Sequence, residues 1–203
     1  MLTTRDYFVK RCFDLFISLI STLIFLVPVL VLVLLSTISY MKWGLFRQVR
    51  IGRDGKQFWI YKIRTMDSDD ENGGNELERI VIKGDPSVNR FGAWLRRTKL
   101  DEIPQFWNVL IGDMSLVGPR PDVSGYADKL TGDDRVILSV RPGITGPATL
   151  KYRDEEQLLA RHDNPKKYND EVIWKDKVEI NKQYVKNWSF KNDLQILLDT
   201  FFG

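Results

Sequence analysis

Residues Leu15 to Leu35 are 21 consecutive positions without a charge, broken only by Ser18, Ser21, Thr22 and Pro28. At about 1.5 Å per residue a straight helix of that length reaches ~31 Å, roughly one hydrocarbon core, so the segment is expected in lipid. A cleaved signal peptide fits poorly. Its apolar region is usually ~7 to 15 residues long and ends at a small-residue site, which Ile38-Ser39-Tyr40-Met41 does not offer. Pro28 sits near the middle, where it removes a backbone hydrogen bond and favours a kink. Lys10 and Arg11 precede the segment, and Lys42, Arg47 and Arg50 follow it. A simple span concentrates Lys and Arg on its cytoplasmic side, so basic flanks at both ends predict a re-entrant hairpin that enters and leaves by the cytoplasmic face. Tyr40 and Trp43 are its expected interfacial anchors, and a Pro-kinked single-pass anchor is the alternative.

The remainder is ordinary globular sequence. In 203 residues, 43% are apolar and 28% charged, and the mean hydropathy of -0.24 excludes a polytopic transporter. Residues 1 to 53 hold seven basic residues against Asp6 and Asp14, a local charge of +5, while the other 150 hold 23 basic and 25 acidic, or -2. A basic quarter wrapped around a lipid segment predicts attraction to anionic headgroups. Nucleic acid is not an expected partner, because the excess forms no patch on the body. Cys12 and His162 are single, which excludes disulfide frameworks and Cys or multi-His metal sites within one chain. Chemistry must then rest on carboxylates, arginines, hydroxyls or a hard metal ion.

Along the body, Leu45 to Ile51 and Gln57 to Ile63 flank Gly52-Arg53-Asp54-Gly55 and read as a β-hairpin. Asp67 to Glu78 reads as a solvated acidic loop. It fails as a calcium loop, because Asn72 stands where the tight-turn glycine belongs. Phe91, Trp94 and Leu95 predict a short helix ending near Thr98. Ile103, Phe106, Trp107 and Leu110 predict an amphipathic one that starts at Asp101-Glu102 and stops at Gly112. Gly118-Pro119-Arg120-Pro121 and Arg141-Pro142-Gly143-Ile144-Thr145-Gly146 each hold an arginine on a proline-stiffened backbone. A charged helix is expected from about Tyr168 to Lys186. Phe190 to Phe202 carries enough apolar residues either to lie on a membrane or to pack on the body.

A carboxylate at a helix N-terminus is stabilised as its anion, so Asp101 is expected to be ionised at neutral pH. Arg96, Arg97 and Lys99 lie just before it, and Arg120, Arg141 and Arg153 are candidates to fold towards it. An anionic carboxylate among arginines suits attack on a phosphate, with Mg²⁺ as the usual bridging cation. The plain alternative makes Asp101 an N-cap and the arginines surface ion pairs.

Read together, the motifs decide. Tyr61 to Met66, Leu100 to Leu110, Gly112 to Pro121 and Arg141 to Gly146, in that order, closely resemble the bacterial sugar transferases, the monotopic polyprenyl-phosphate phosphoglycosyl transferases. The resemblance covers nearly the whole chain and implies the minimal catalytic form. It implies an α+β fold: a membrane hairpin over residues 1–43, and a mostly helical catalytic domain over 44–203 with a small β-hairpin and interfacial amphipathic helices. It also implies transfer of a sugar 1-phosphate from a UDP-sugar to polyprenyl (undecaprenyl) phosphate with release of UMP, at the cytoplasmic face of the bacterial inner membrane. Asp101 matches the nucleophile and Glu102 its dyad partner, with Mg²⁺ at both. Arg96, Arg120 and Arg153 match phosphate-holding arginines, and Arg141 joins them as a substrate-binding candidate. Asn181 stands where many relatives carry an aspartate, which weakens inference of the sugar. A non-enzymatic membrane-tethered scaffold is the rival class.

Overall fold

The computed structural model describes residues 2–67 and 84–203. Beyond Asp67, the expected acidic loop lies outside the described residues. The fold is α+β and mostly helical, with one long apolar helix at its start and two small sheets.

Helix α1, Thr4–Tyr40, opens with a capping box in which Thr3 and Asp6 bond reciprocally, and Pro28 lies within it. Its buried residues fall into two groups, Lys10, Asp14 and Ser18 towards one end and Val33, Ser36 and Tyr40 towards the other. Between them Leu19, Ile20, Leu23, Ile24, Leu26 and Val27 are exposed. Both ends dock on the body. Tyr7, Phe13 and Ile17 pack against Leu116, Val117, Tyr184 and Val185, and Val33 packs with Ile63 and Leu95. The helix is long and apolar enough to cross a membrane. Tyr40 is a correction to the sequence reading. It is buried, and its hydroxyl donates to Thr65 O at 2.7 Å, so only Trp43 remains exposed among the two expected anchors.

Strands β1, Leu45–Ile51, and β2, Gln57–Ile63, form the expected antiparallel hairpin. Its turn is closed by Gly52 N donating to Lys56 O at 2.8 Å, with Asp54 and Gly55 both at positive φ. Residues opposite one another share a face, so Gln48, Arg50, Ile60 and Lys62 look to the same side. Helix α2, Arg90–Thr98, and helix α3, Gln105–Ile111, follow. The apolar repeat misjudges α3. Its buried residues are Gln105, Asn108 and Val109, while Trp107 is 53% exposed. Asn108 wins the inner face by hydrogen bonding: it donates to Trp59 O at 2.6 Å and accepts from Tyr61 N at 3.1 Å, stapling α3 to β2.

Strands β3, Ser115–Val117, and β4, Gly143–Thr145, pair in parallel and bring both arginine-proline motifs together. Gly118 and Gly146 allow the approach, since a Cβ on Gly146 would meet Gly118 O at 2.1 Å. Short helices α4, Pro147–Lys151, α5, Glu155–Leu159, and α6, Pro165–Tyr168, lead to α7, Trp174–Lys186, and α8, Phe190–Phe202. Helix α8 packs on the body through Ile196 and Leu197 and leaves Leu198, Phe201 and Phe202 exposed. Ser189 caps α8 by accepting from Asn192 N.

A buried ion pair ties α1 to α8. Lys10 meets Asp193, which also accepts from the Tyr184 hydroxyl at 2.7 Å and Trp188 Nε1 at 3.0 Å. Removing one partner of such a pair strands a buried charge and costs about 3 to 5 kcal/mol. Lys10→Met should therefore lower the thermal unfolding midpoint of the detergent-solubilised protein sharply. Lys10→Met with Asp193→Leu should recover much of the loss. Equal midpoints for wild type and Lys10→Met would remove the pair from the account.

Candidate active site

Helix α2 ends at Thr98, and Lys99 turns the chain through a left-handed conformation, φ 57°. Leu100 is held in the cluster of Leu95 and Ile63, and this sets Asp101 and Glu102 on one 3-10 turn, Leu100–Glu102, ahead of α3. The helix itself begins after Pro104, with no side-chain cap. The expected N-cap geometry is thus absent. Asp101 makes no hydrogen bond among the described residues, and its Oδ1 is buried without a partner.

The two adjacent carboxylates occupy opposite environments. Glu102 accepts two hydrogen bonds from the Arg120 guanidinium and lies 3.8 Å from Lys62 Nζ. Burial works against its charge, but Arg120 and then Lys62 outweigh it and hold the carboxyl well below the usual range. Asp101 receives no such compensation. Burial first and the Glu102 charge second push it up to about 6, against weaker pulls from Lys62, Arg96 and Lys99. This revises the sequence expectation: the helix N-terminus does not set the protonation of Asp101, desolvation does. It remains mostly ionised at pH 7, with its Oδ1 buried and without a partner among the described residues.

Of the expected arginines, the structure brings two to the dyad. Arg120 is bound to Glu102, and Arg96 acts on Asp101 while pairing with the partly exposed Glu156 and approaching Thr65 Oγ1 at 3.4 Å. The other two have backbone partners elsewhere. Arg141 Nε donates to Gly112 O at 2.7 Å, with Arg11, Arg53 and Asp14 as its main charged neighbours. Arg153 donates to Gly203 O and Asp199 O at 2.6 and 2.9 Å, capping the end of α8. Lys62, by contrast, was missed as a site residue. Burial brings its ammonium down to about 8 against the pull of Glu102. The signal was present as a lone lysine on the face that strand alternation assigns to Ile60.

Among the described residues no group of three or more His, Cys, Asp or Glu gathers as a metal site. Mg²⁺ commonly takes one or two carboxylates together with substrate phosphates. Asp101 Oδ1 fits that requirement, whereas Glu102 is already engaged by Arg120 and Lys62.

A family model described as bacterial sugar transferase matches residues 5–203. The chain is 33% identical to the UDP-galactose-lipid carrier transferase of Erwinia amylovora, over 95% of this chain and 39% of that protein. It is 34% identical to the UDP-glucose:undecaprenyl-phosphate glucose-1-phosphate transferase of Klebsiella pneumoniae, over 95% and 39%. With the exopolysaccharide production protein PSS of Rhizobium leguminosarum bv. phaseoli it shares 35% identity over 96% of this chain and 94% of the relative. The chain belongs to the bacterial sugar transferase family. It spans about two fifths of the length of the first two relatives.

The opposed environments give opposite stability effects. Burial and the Glu102 charge hold the folded-state pKa of Asp101 above its ordinary value of 3.8, so ionisation destabilises the fold at pH 7, and the cost is relieved as pH falls through about 6. A shift of that size is worth on the order of 3 kcal/mol. For Glu102 the folded value lies below 4.5. Its contribution is present above pH 4.5 and is lost only as pH falls through the depressed folded value. At pH 7.5 Asp101→Asn should raise the unfolding midpoint and Glu102→Gln should lower it. A fall with Asp101→Asn would restore a stabilising role for that carboxylate.

Proposed function

We propose that this chain transfers a sugar 1-phosphate from a UDP-sugar to a polyprenyl phosphate, of the undecaprenyl type, as the first membrane step of glycan assembly. The observation that carries the reading is the buried, unpartnered Asp101 Oδ1 beside a carboxylate already neutralised by Arg120 and Lys62. The family match and the activities by which two relatives are named support the same class of reaction.

In the first step an Asp101 oxygen attacks the β-phosphorus of the UDP-sugar. An acyl-phosphate bond forms, the bond from that phosphorus to the bridging oxygen breaks, and UMP leaves with the electron pair. In the second step an oxygen of the polyprenyl phosphate attacks the same phosphorus and releases Asp101, giving a polyprenyl diphosphate sugar. Neither step needs a proton donor of pKa near 7, which suits a site with no histidine. Arg120 is fixed by two bonds to one carboxylate, so it presents a pre-oriented cation to the diphosphate. Arg96 is paired with a partly exposed glutamate that an incoming phosphate can displace. Asp101 would be the residue to hold Mg²⁺, which would supply further charge neutralisation there.

Position in the membrane follows from α1. Both of its ends dock on the body while the apolar middle around Pro28 is exposed. This supports a re-entrant segment, with the site at the cytoplasmic face of the inner membrane beside lipid headgroups. Exposed positions 4 and 41 suit a topology test, and exposed Cys12 must first become serine. In Cys12→Ser cells, Thr4→Cys and Met41→Cys should both resist an impermeant thiol reagent until the membrane is opened. Labelling of one position in intact cells would establish a single-pass anchor.

Without acceptor lipid, wild-type protein should release up to one UMP per site and gain the mass of a sugar phosphate on Asp101. The rate should rise with pH around 6, as Asp101 loses its proton, and fall again above about 8, as Lys62 does. Asp101→Asn should abolish both the adduct and turnover. Near wild-type turnover by Asp101→Asn would refute the assignment, and no UMP from any UDP-sugar would favour the scaffold reading.

A further inference from the structure

We propose that Arg11, Arg53 and Arg141 form a binding site for the phosphate of an anionic phospholipid headgroup, built where the start of α1 meets the end of α3. The inference goes beyond the transferase reading and depends only on α1 lying in lipid. Arg11 Nη1 and Nη2 donate to Val109 O and Leu110 O at 2.6 and 3.0 Å, and Arg141 Nε donates to Gly112 O at 2.7 Å. The two guanidiniums thus converge on the last carbonyls of α3, which take cationic donors in place of intrahelical ones. Arg11 Nη2 lies 3.5 Å from where a Cβ on Gly112 would stand, so both cations gather around that one residue. Arg53 reaches the same place from the turn between β1 and β2. Its guanidinium lies over the Tyr7 ring, 5.1 Å from the centroid, and the Tyr7 hydroxyl donates to Ser139 O, two residues before Arg141.

These contacts use only part of what the arginines offer. Arg141 commits Nε alone, so both of its Nη groups are without a hydrogen-bond partner among the described residues. Arg53 makes no hydrogen bond among them either, and its ion contact, Asp54, is exposed and 3.7 Å away. Asp14, the acid beside Arg141, is buried and already accepts from Leu116 N at 3.0 Å. Burial, then Arg11 and Arg53, hold the Arg141 pKa below the ordinary arginine value. Like charges gathered with donors to spare are suited to an anion, and phosphate oxygens match the guanidinium fork. The dyad does not supply that anion. Neither Asp101 nor Glu102 is among the main charged neighbours of Arg141, and none of the three arginines is among theirs. What adjoins the cluster is lipid-facing surface. Arg11 precedes Leu15, where the uncharged run begins, by four residues, about 6 Å of helix, which is headgroup depth. Phe8 and Leu15 share its face of the helix and are both exposed.

The test titrates the full-length protein in neutral detergent with phosphatidylglycerol, phosphatidylcholine, undecaprenyl phosphate and inorganic phosphate, and reads bound ligand by native mass spectrometry. Phosphatidylglycerol should bind about tenfold more tightly than zwitterionic phosphatidylcholine, and inorganic phosphate should displace it only at far higher concentration. A basic residue at a lipid surface is worth about 1 kcal/mol, so Arg53→Gln should weaken phosphatidylglycerol roughly fivefold, and Arg53→Gln with Arg141→Gln roughly 25-fold. Arg161→Gln, which removes a charge from an exposed position outside the cluster, should change it by less than about twofold. Arg53 holds no hydrogen bond of the fold, so its single variant decides the matter if the double variant does not fold. Equal binding of the two phospholipids, or equal losses from Arg53→Gln and Arg161→Gln, would reduce the cluster to general surface charge and overturn the site. Inorganic phosphate that binds as tightly as phosphatidylglycerol overturns the lipid as its source. Undecaprenyl phosphate that binds far more tightly, and loses that advantage in Arg53→Gln, overturns the phospholipid assignment in favour of the acceptor. Release of UMP reads Asp101 and not this cluster, so failure here leaves the transferase reading standing.

Discussion

The structure depends on a polar seam between an apolar helix and a water-soluble body. Helix α1 carries enough exposed aliphatic surface to prefer lipid, and its exposed middle is not held to the domain by a side-chain bond among the described residues. What holds it is chemistry at the ends. Asp14 Oδ1 accepts from Leu116 N at 3.0 Å, and Arg11 donates to Val109 O and Leu110 O at 2.6 and 3.0 Å. At the far end Ser36 donates to Arg64 O at 2.7 Å. These are not generic surface contacts. Leu116 lies in β3, four residues before Arg120, and Val109 lies in α3, which follows the dyad turn. Helix α1 therefore braces both chain segments that carry the Asp101-Glu102 pair and Arg120.

At the end of that chain of support stand two carboxylates one residue apart, driven in opposite directions. Their difference comes from one asymmetry, because Arg120 reaches Glu102 and leaves Asp101 alone. A single cation cannot neutralise both, and like charges side by side in a desolvated site raise whichever proton is easier to keep. The arrangement keeps Asp101 mostly anionic at pH 7 beside Lys62, Arg96 and Lys99, as the proposed nucleophile requires. It also explains why Asp101 is expected to cost stability: strain at the reacting group is offset by the bidentate bond next door.

Much of this was legible in the residues. Strand boundaries, the helix stop at Gly112 and the membrane segment follow from alternation, glycine and an uncharged run, which are local signals. The failures are all non-local. Asn108 displaced Trp107 from the buried face of α3 because a strand edge 49 residues away offered it a donor and an acceptor. Tyr40 left the interface for the Thr65 carbonyl. Arg153 and Arg141 donate to backbone carbonyls, a demand invisible until the ends of α8 and α3 are placed. Asp101 and Glu102 themselves were found by pattern, but their opposed protonation required knowing which of them Arg120 would reach.

The same geometry bears on how substrate is admitted. In the resting site the positive groups are not idle: Arg120 and Lys62 sit with Glu102, Arg96 with Glu156, and Lys177 with Glu155. In the proposed reaction a diphosphate would compete with these carboxylates, and unequally. The Glu102 pair is buried and bidentate, so exchanging it strands a desolvated charge, whereas the partly exposed Glu156 can be released at lower cost. Binding through Arg96 by exchange, and through the remaining donors of Arg120 without exchange, leaves the Glu102 pair intact while the β-phosphorus approaches Asp101. That order keeps the field that holds Glu102 anionic in place at the moment the nucleophile attacks.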